Sequence, residues 1–175
     1  MSLDEETREA RACNSEYDKC RKTILRLYPW GFACSRAVLA PSEVPAFEYA
    51  YSLPLPSDCL RIVELFEYHG SHKVEGGNLL ADSDVINLKY VRNQADLSKA
   101  DSLFITCFEW WLAYTLARYL TESGEARQEA FAGFKAVMPM AKFVQSTENS
   151  QPIFESNDLI DSRHGSGRFV RDPGT

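Results

Sequence analysis

The chain has 175 residues, of which 45% are hydrophobic and 25% charged, and its formal net charge is −6. This composition is typical of a folded protein with one ordinary domain and a substantial core. The acidic balance argues against a dedicated nucleic-acid-binding protein, which needs a basic surface to neutralise phosphates, although a duplex could pass close by without sticking.

The sequence predicts neither a membrane span nor a secretion signal. Its most apolar run, residues 103–120, is broken by Thr106, Glu109 and Arg118, and a span needs roughly 18 or more apolar residues. The acidic, polar start does not resemble a signal peptide, so we expect a soluble chain that stays in the cytoplasm unless something carries it out. An odd number of cysteines without metal-binding spacing favours reduced, mostly buried thiols. They are Cys13, Cys20, Cys34, Cys59 and Cys107.

Residues 4–28 are predicted to form the first helix, capped by Ser2 or Asp4 and ended by Pro29. Apolar side chains recur at steps of three and four and predict a buried face. Arg21 falls with other basic residues on the opposite face, which we expect to face solvent. The buried face comprises Cys13, Tyr17, Cys20, Ile24 and Leu27.

Residues 30–91 are predicted to form an antiparallel sheet. Alternation from Trp30 to Val38 indicates one strand, and alternation from Phe47 to Leu53 gives the clearest strand signal in the chain. Further strands are expected at 60–66 and 86–91. Between them, Gly76-Gly77 predicts a two-residue hairpin, because glycine supplies the positive φ that such turns need.

Residues 98–121 and 125–145 are predicted to be helices. Ser98 or Asp101 can cap the first, which is apolar around more than half its circumference and should be central. Gly124 is expected to break the chain between them, and Pro139 should kink the second. The inner stripe of the second helix is predicted to be Ala130, Phe134, Val137, Ala141 and Val144.

From residue 148 the sequence loses all periodicity, so residues 148–175 are predicted to be an extended arm that orders on a partner. Residues 1–147 form the single domain. The expected fold class is α+β, mainly α: a small helical bundle with an inserted antiparallel β-sheet and an extended C-terminal arm.

Three constellations could carry chemistry. Glu109 beside two tryptophans could be a general acid, but no second carboxylate is tied to it by spacing, and a polar helix face is the simpler interpretation. His69 and His72 could share a metal, but no third ligand is in view and a solvated turn is favoured. Asp58-Cys59 lacks a base, so a turn residue followed by a core residue is favoured. No catalytic residue, metal or cofactor is therefore expected.

The run Tyr28-Pro29-Trp30-Gly31-Phe32-Ala33 lies within a longer pattern, residues 17–40. This pattern resembles the phage tail adaptors known as tail tubular protein A and the head-to-tail connectors of podoviruses. The similarity covers nearly the whole chain. It continues through 49–62, 74–80, 88–91, 108–121 and 158–163. Family members usually carry a further N-terminal helix before the segment matching 2–6, which puts in doubt the ring contact of that helix.

The resemblance implies a structural protein of the virion tail, assembled in the host cytoplasm. It implies a ring, a dodecamer in well-described members, that docks under the portal protein, continues the DNA channel without binding DNA specifically, and supports the tail nozzle protein. No membrane partner is expected. Trp30 and Phe32 would be core residues, and contacts to the portal or a neighbouring subunit would come from the arm. The predicted interface residues are Phe154, Leu159, Ile160, Arg163, Arg168, Phe169 and Arg171.

Two other functions remain open at this point. Some tail adaptors of this kind are credited with peptidoglycan cleavage, for which Glu109 or Glu75 would be the candidate general acid. A free-standing cytoplasmic binding protein is the third possibility, and it predicts a monomer whether or not portal is present.

Overall fold

The structure, a computed structural model, describes residues 7–45, 47–121 and 123–149. Within these residues three helices flank six strands, so the mainly helical α+β class predicted from the sequence is confirmed. In chain order the elements are α1 (Arg8–Leu27), a 3-10 turn (Gly31–Ala33), β1 (Cys34–Leu39), β2 (Tyr51–Pro54), β3 (Cys59–Phe66), β4 (His72–Glu75), β5 (Asn78–Ala81), β6 (Ile86–Arg92), α2 (Ser102–Leu120) and α3 (Gly124–Asn149).

Helix α1 begins later than predicted. Thr7 is the N-cap, with an extended backbone and a side chain that accepts a hydrogen bond from the Ala10 amide at 3.2 Å. A threonine hydroxyl at this position satisfies one of the amides that the first turn leaves unpaired. The start predicted at residue 4, capped by Ser2 or Asp4, is therefore wrong. The end is as expected, because Tyr28 before Pro29 is extended.

The strands form two antiparallel sheets instead of the single sheet predicted. Sheet A has the order β1-β6-β3, with Ala37 opposite Leu88 and two register shifts along β3. Sheet B has the order β2-β5-β4. Its β4–β5 hairpin is confirmed: Gly76 and Gly77 have φ of 57° and 86°, which only glycine adopts without strain.

Two strand predictions fail in part. Gly31–Ala33 is not extended, because the Ala33 amide donates to the Trp30 carbonyl at 2.9 Å and closes a 3-10 turn. The strand predicted from Phe47 begins only at Tyr51. Before it, the Tyr49 amide turns back to the Phe47 carbonyl at 3.0 Å, and Glu48 has a positive φ of 75° that interrupts an extended chain.

Helices α2 and α3 differ from prediction at their ends. Helix α2 begins at Ser102 because the carboxylate of Asp101 accepts a hydrogen bond from the Leu103 amide at 2.8 Å. Residue 98 precedes this cap and is not helical. Helix α3 includes Gly124 as its first residue and continues through Pro139, which is exposed on its outer surface.

The buried side chains form two clusters separated by sheet A. The first joins the three helices to one face of sheet A, with Trp30, Phe104 and Val91 fully buried. The second lies between the opposite face of sheet A and sheet B. Strand β6 serves both, because Leu88 points into the second cluster while Val91 belongs to the first. The fold is thus three layers: helices, sheet A and sheet B.

Candidate functional site

The interface predicted from the sequence lies outside the described residues. Its side chains therefore stay predictions, as do their contacts with a portal or neighbour. The predicted boundary of the arm at residue 148 is wrong, since α3 continues to Asn149. The residues concerned are Phe154, Leu159, Ile160, Arg163, Arg168, Phe169 and Arg171.

Trp30 lies at the junction of the helices with sheet A. It is fully buried, and its indole Nε1 donates to the Ile24 carbonyl at 2.9 Å. Its ring meets Phe104 of α2 edge to face, with centroids 5.1 Å apart, and Tyr28 at 5.5 Å. A buried indole needs a partner for its N–H, and the end of α1 supplies it. The prediction that Trp30 belongs to the core is confirmed.

A buried amide near the end of α3 was not found from the sequence. Gln145 is buried; its Oε1 accepts from the Gly31 amide at 2.8 Å and its Nε2 donates to Glu148 at 2.7 Å. The first bond ties the last turns of α3 to the 3-10 turn after α1, and the second lies within α3. The signal was available, because Gln145 follows Ala141 by four residues and so shares its face. Val144 was assigned to that face instead.

Arg21 is buried, although the helical pattern placed it on the solvent face. One terminal nitrogen donates to the Gln94 carbonyl and the other to the Asp18 carboxylate at 3.1 Å. Its Nε makes no hydrogen bond within the described part of the chain. The prediction is wrong because the loop after β6 covers this part of α1. A sequence period shows which side chains share a face, and it cannot show which later segment packs on it.

Two further arginines hold helix ends. Arg61 of β3 donates to the Arg26 carbonyl at 3.0 Å, at the C-terminus of α1. Arg8 donates to the Tyr119 carbonyl at 2.8 Å, at the C-terminus of α2. The last carbonyls of a helix lack hydrogen-bond partners within the helix and lie at the negative end of its dipole. A guanidinium therefore stabilises them both by hydrogen bonding and by its positive charge. Arg61 in this way fixes sheet A against the bundle.

The two glutamates considered as general acids occupy polar surroundings. Glu109 is exposed on α2. Glu75 is about half exposed on β4 and pairs with Lys73 at 3.0 Å. A carboxylic acid that stays protonated near neutral pH requires an apolar pocket. Neither side chain has one, so the solvent-face interpretation of Glu109 is the one that its position favours.

The two histidines considered as metal ligands are exposed. His69 lies in the turn after β3 and His72 begins β4. Within residues 7–45, 47–121 and 123–149, no group of three or more His, Cys, Asp or Glu side chains is placed to hold a metal ion. The third ligand that the sequence lacked is not supplied by the fold of these residues.

Asp58 is a turn residue, as predicted. Its backbone carbonyl accepts from the Asn93 amide at 2.7 Å, and its carboxylate accepts from the Tyr90 hydroxyl at 3.1 Å. Burial, reinforced by the bond to Asp58, raises the pKa of Tyr90. Burial also raises the pKa of the Cys59 thiol. A thiol with a raised pKa is a poor nucleophile at neutral pH. The contacts of Asp58 and Cys59 instead join the start of β3 to the end of β6.

The loop between β1 and β2 exposes large apolar side chains. Val44 and Phe47 are both 80% exposed, and the carboxylates of Glu43 and Glu48 lie beside them in sequence. We call these four residues the loop patch. Its position is set by β2: the Ser52 amide donates to the Glu43 carbonyl at 3.1 Å. Glu48 also lies 3.8 Å from the amine of Lys73 on β4.

The outer face of α3 is apolar over about three turns. Met140 is 61% and Phe143 70% exposed. Helical spacing places this surface opposite the buried stripe, while Lys135 and Lys142 follow one of its edges. A helix that is apolar on both sides is normally packed on both sides. We call this surface the α3 stripe: Ala132, Ala136, Pro139, Met140 and Phe143.

A shallow cavity of about 450 Å³ lies where the end of β1 and the end of β3 meet the start of β6. The exposed side chain of Val38 lines it, with the side chains of Arg36, Phe66 and Glu67. The alternation from Trp30 had placed Val38 on a buried face, and that prediction is wrong. The cavity mixes charged and apolar groups, and no described side chain in it is placed as a catalytic pair.

No protein-family model matches the chain, and no curated protein matches it either. Among the helices of the described residues, none is both long and apolar enough to cross a membrane.

Proposed function

We propose that the protein is a structural head-to-tail adaptor of a short-tailed phage. It forms a ring under the portal, continues the DNA channel and provides the platform for the tail nozzle. The observation that carries the proposal is the presence of two exposed apolar surfaces on separate elements, the loop patch and the α3 stripe. Exposed apolar surfaces of this kind are typical of protein–protein contacts.

A ring subunit needs more than one contact surface. Each copy must meet a neighbour on either side through two different patches, and must also meet the components above and below it. The loop patch and the α3 stripe supply two such surfaces, and the predicted arm would supply a third. The resemblance to tail adaptors gives the partners their names: portal protein, nozzle protein and further copies of the chain.

The architecture of the junction also supports the proposal. The run 28–33, one part of the pattern that resembles tail adaptors, is where α1, α2 and sheet A meet around Trp30. A segment in that position determines how the layers are arranged. Similar residues there favour a similar arrangement of layers, and hence a similar subunit shape.

Peptidoglycan hydrolysis gains no support from the described residues, since Glu109 and Glu75 are both solvated. A zymogram of the unchanged protein with Glu109→Gln and Glu75→Gln variants addresses it directly. We expect no lytic band from any of the three. A band that disappears in one of the variants would contradict the non-enzymatic function proposed here.

Co-sedimentation with purified portal tests the proposal. The full chain should sediment with portal, whereas a chain ending at Asn149 should bind at least about tenfold more weakly if the arm provides anchor residues. The truncation keeps Gln145 and its partner Glu148, so its thermal unfolding should match that of the full chain. Equal portal binding by both chains would refute the role of the arm, and no binding by the full chain would refute the adaptor.

A further inference from the structure

We infer that neighbouring copies meet head to tail, with the loop patch of one copy seated on the α3 stripe of the next. This deepens the ring proposed above, and only the closure of a ring rests on that proposal. The contact pairs Val44 and Phe47 of one subunit with Met140 and Phe143 of another.

The two surfaces are alike in chemistry, since each presents exposed apolar side chains. The α3 stripe extends for about 16 Å from Ala132 to Phe143, given a rise of roughly 1.5 Å per residue. It presents apolar side chains that are opposite the buried face of α3 and therefore outside the core of its own subunit. The loop patch presents two exposed apolar side chains three positions apart, Val44 and Phe47. Met140 and Phe143 have that same spacing, about one helical turn.

The charges beside the two surfaces are opposite. Glu43 and Glu48 accompany the loop patch, whereas Lys135 and Lys142 follow one edge of the α3 stripe. Lys135 also stands 4.9 Å over the Phe131 ring, which holds its amine at this edge. Glu48 is only loosely paired within its own subunit, 3.8 Å from a Lys73 amine that has a closer partner in Glu75. Complementary rims of this kind favour one orientation of docking.

The same charges disfavour the obvious alternative, a two-fold pairing of the α3 stripe with itself. An antiparallel pair of helices related by a two-fold axis brings equal edges together, so Lys135 and Lys142 of one copy would face the same lysines of the other. A two-fold contact also closes at two subunits, whereas a head-to-tail contact leaves an unused surface at each end and can continue into a ring.

The loop patch is a shaped surface. Ser42 donates to the Ser52 carbonyl at 3.0 Å and Ala50 to the Asp82 carboxylate at 3.0 Å, which ties both sides of the loop to sheet B. Glu48 adopts a positive φ of 75° that is uncommon for a residue with a side chain. The backbone at Ser42, Glu48 and Ala50 is therefore already ordered before binding, so less of the binding free energy is lost to entropy there.

Two variants with complementary defects test the contact without portal. Phe143→Asp places a charge in the α3 stripe and leaves the loop patch intact. Phe47→Asp places a charge in the loop patch and leaves the α3 stripe intact. In sedimentation equilibrium of the full chain, the unchanged protein should be a monomer at micromolar concentration and should self-associate as the concentration rises toward the highest soluble value. Each variant alone should associate at least about tenfold more weakly, because each loses one buried anchor. Mixed together, the two should form a one-to-one dimer through the surfaces that remain intact.

Val38→Asp is the matched control, because Val38 is an exposed apolar residue on a different surface; it should associate like the unchanged protein. Raising the salt concentration should weaken association, since the glutamate and lysine rims are solvated and screened. Two outcomes would overturn the inference. In the first, the unchanged protein stays monomeric at every concentration. In the second, the mixture forms no dimer, and only Phe143→Asp has lost self-association. The second outcome would indicate stripe-to-stripe pairing. Portal binding is measured separately, so a failed contact and a failed adaptor function remain distinguishable.

Discussion

The two hydrophobic clusters on either side of sheet A are built differently. The cluster on the helical side is aromatic: Trp30 and Phe32 both meet Phe104 edge to face, at 5.1 and 4.8 Å between centroids. The cluster between the sheets is mainly aliphatic, with buried leucines such as Leu79 and Leu88 and strands of only four residues in sheet B. Aromatic side chains bury more area each and fix relative orientation more strongly.

The aromatic cluster on the helical side determines the architecture, whereas the aliphatic cluster supports sheet B, which presents a surface. The helical side joins α1, α2, α3 and sheet A, so a defect there affects every layer. Sheet B is thinner and is bounded by β4, whose side chains are all exposed. It adjoins the loop patch. We therefore expect the helical side to determine global stability, and the outer sheet to open more readily.

Trp30→Ala should have the largest effect. It removes the indole that packs on Phe104 and caps the Ile24 carbonyl, at a cost of about 3–5 kcal/mol in the free energy of unfolding. Urea denaturation measures it. Phe143→Ala serves as a control with little effect, since Phe143 is exposed in the subunit. A loss below about 1 kcal/mol for Trp30→Ala would contradict its place at the junction of the layers.

Leu79→Ala should lower the free energy of unfolding by about 2–4 kcal/mol, because Leu79 is fully buried in the second cluster. Amide hydrogen exchange then compares the opening of sheet B with that of the helical side. Amides of β4 and β5 should exchange faster in this variant, while those of α1 and α2 stay slow at low denaturant. Equal acceleration of all four elements would show that sheet B does not open separately.

Arg21→Ala should cost about 2 kcal/mol, since it removes a buried stem and the hydrogen bond to Gln94. Arg21→Met retains much of the packed stem, so its loss should be smaller, about 1 kcal/mol. Thermal unfolding of the two variants separates packing from hydrogen bonding. If Arg21→Ala and Arg21→Met lose the same amount of stability, Arg21 contributes through the hydrogen bonds of its guanidinium alone.

Gly77→Ala should have the smallest effect, about 1 kcal/mol, from the positive φ alone. A methyl group at this position would meet no heavy atom within 4 Å, so no clash adds to the cost. Gly77→Asn should cost less, because asparagine tolerates this backbone region better. A loss well above that of Leu79→Ala would mean that the hairpin contributes more to stability than its exposure suggests.

Local signals in the sequence predicted most of the elements. The hairpin at Gly76-Gly77 and the end of α1 at Pro29 follow from the backbone chemistry of single residues, and the structure agrees with both. Predictions failed where a tertiary contact or an unrecognised local turn decides the conformation. Arg21 is covered by the loop near Gln94, far along the chain, and the alternation around Phe47 is overridden by a turn at Glu48.

The surfaces were harder to predict than the elements. The inner stripe of α3 was found in part from its period: Ala130, Phe134 and Ala141 are buried as predicted, whereas buried Met138 and Gln145 were missed. The outer face resembles that of an ordinary helix until its exposure is known. Met140 and Phe143 were not singled out by the sequence. A period of three and four cannot tell an apolar face that is buried in the subunit from one that awaits a partner. The partitioning of the strands into two sheets likewise depends on long-range pairing that no local pattern specifies.

The mass of the protein with and without purified portal, measured by native mass spectrometry, tests the central claim most directly. At micromolar concentration the chain alone should be a monomer, because a weak head-to-tail contact closes into a ring only on a template. With portal it should form one high-order complex that carries a ring of copies. A mixture that contains only free portal and free monomer would contradict the adaptor function.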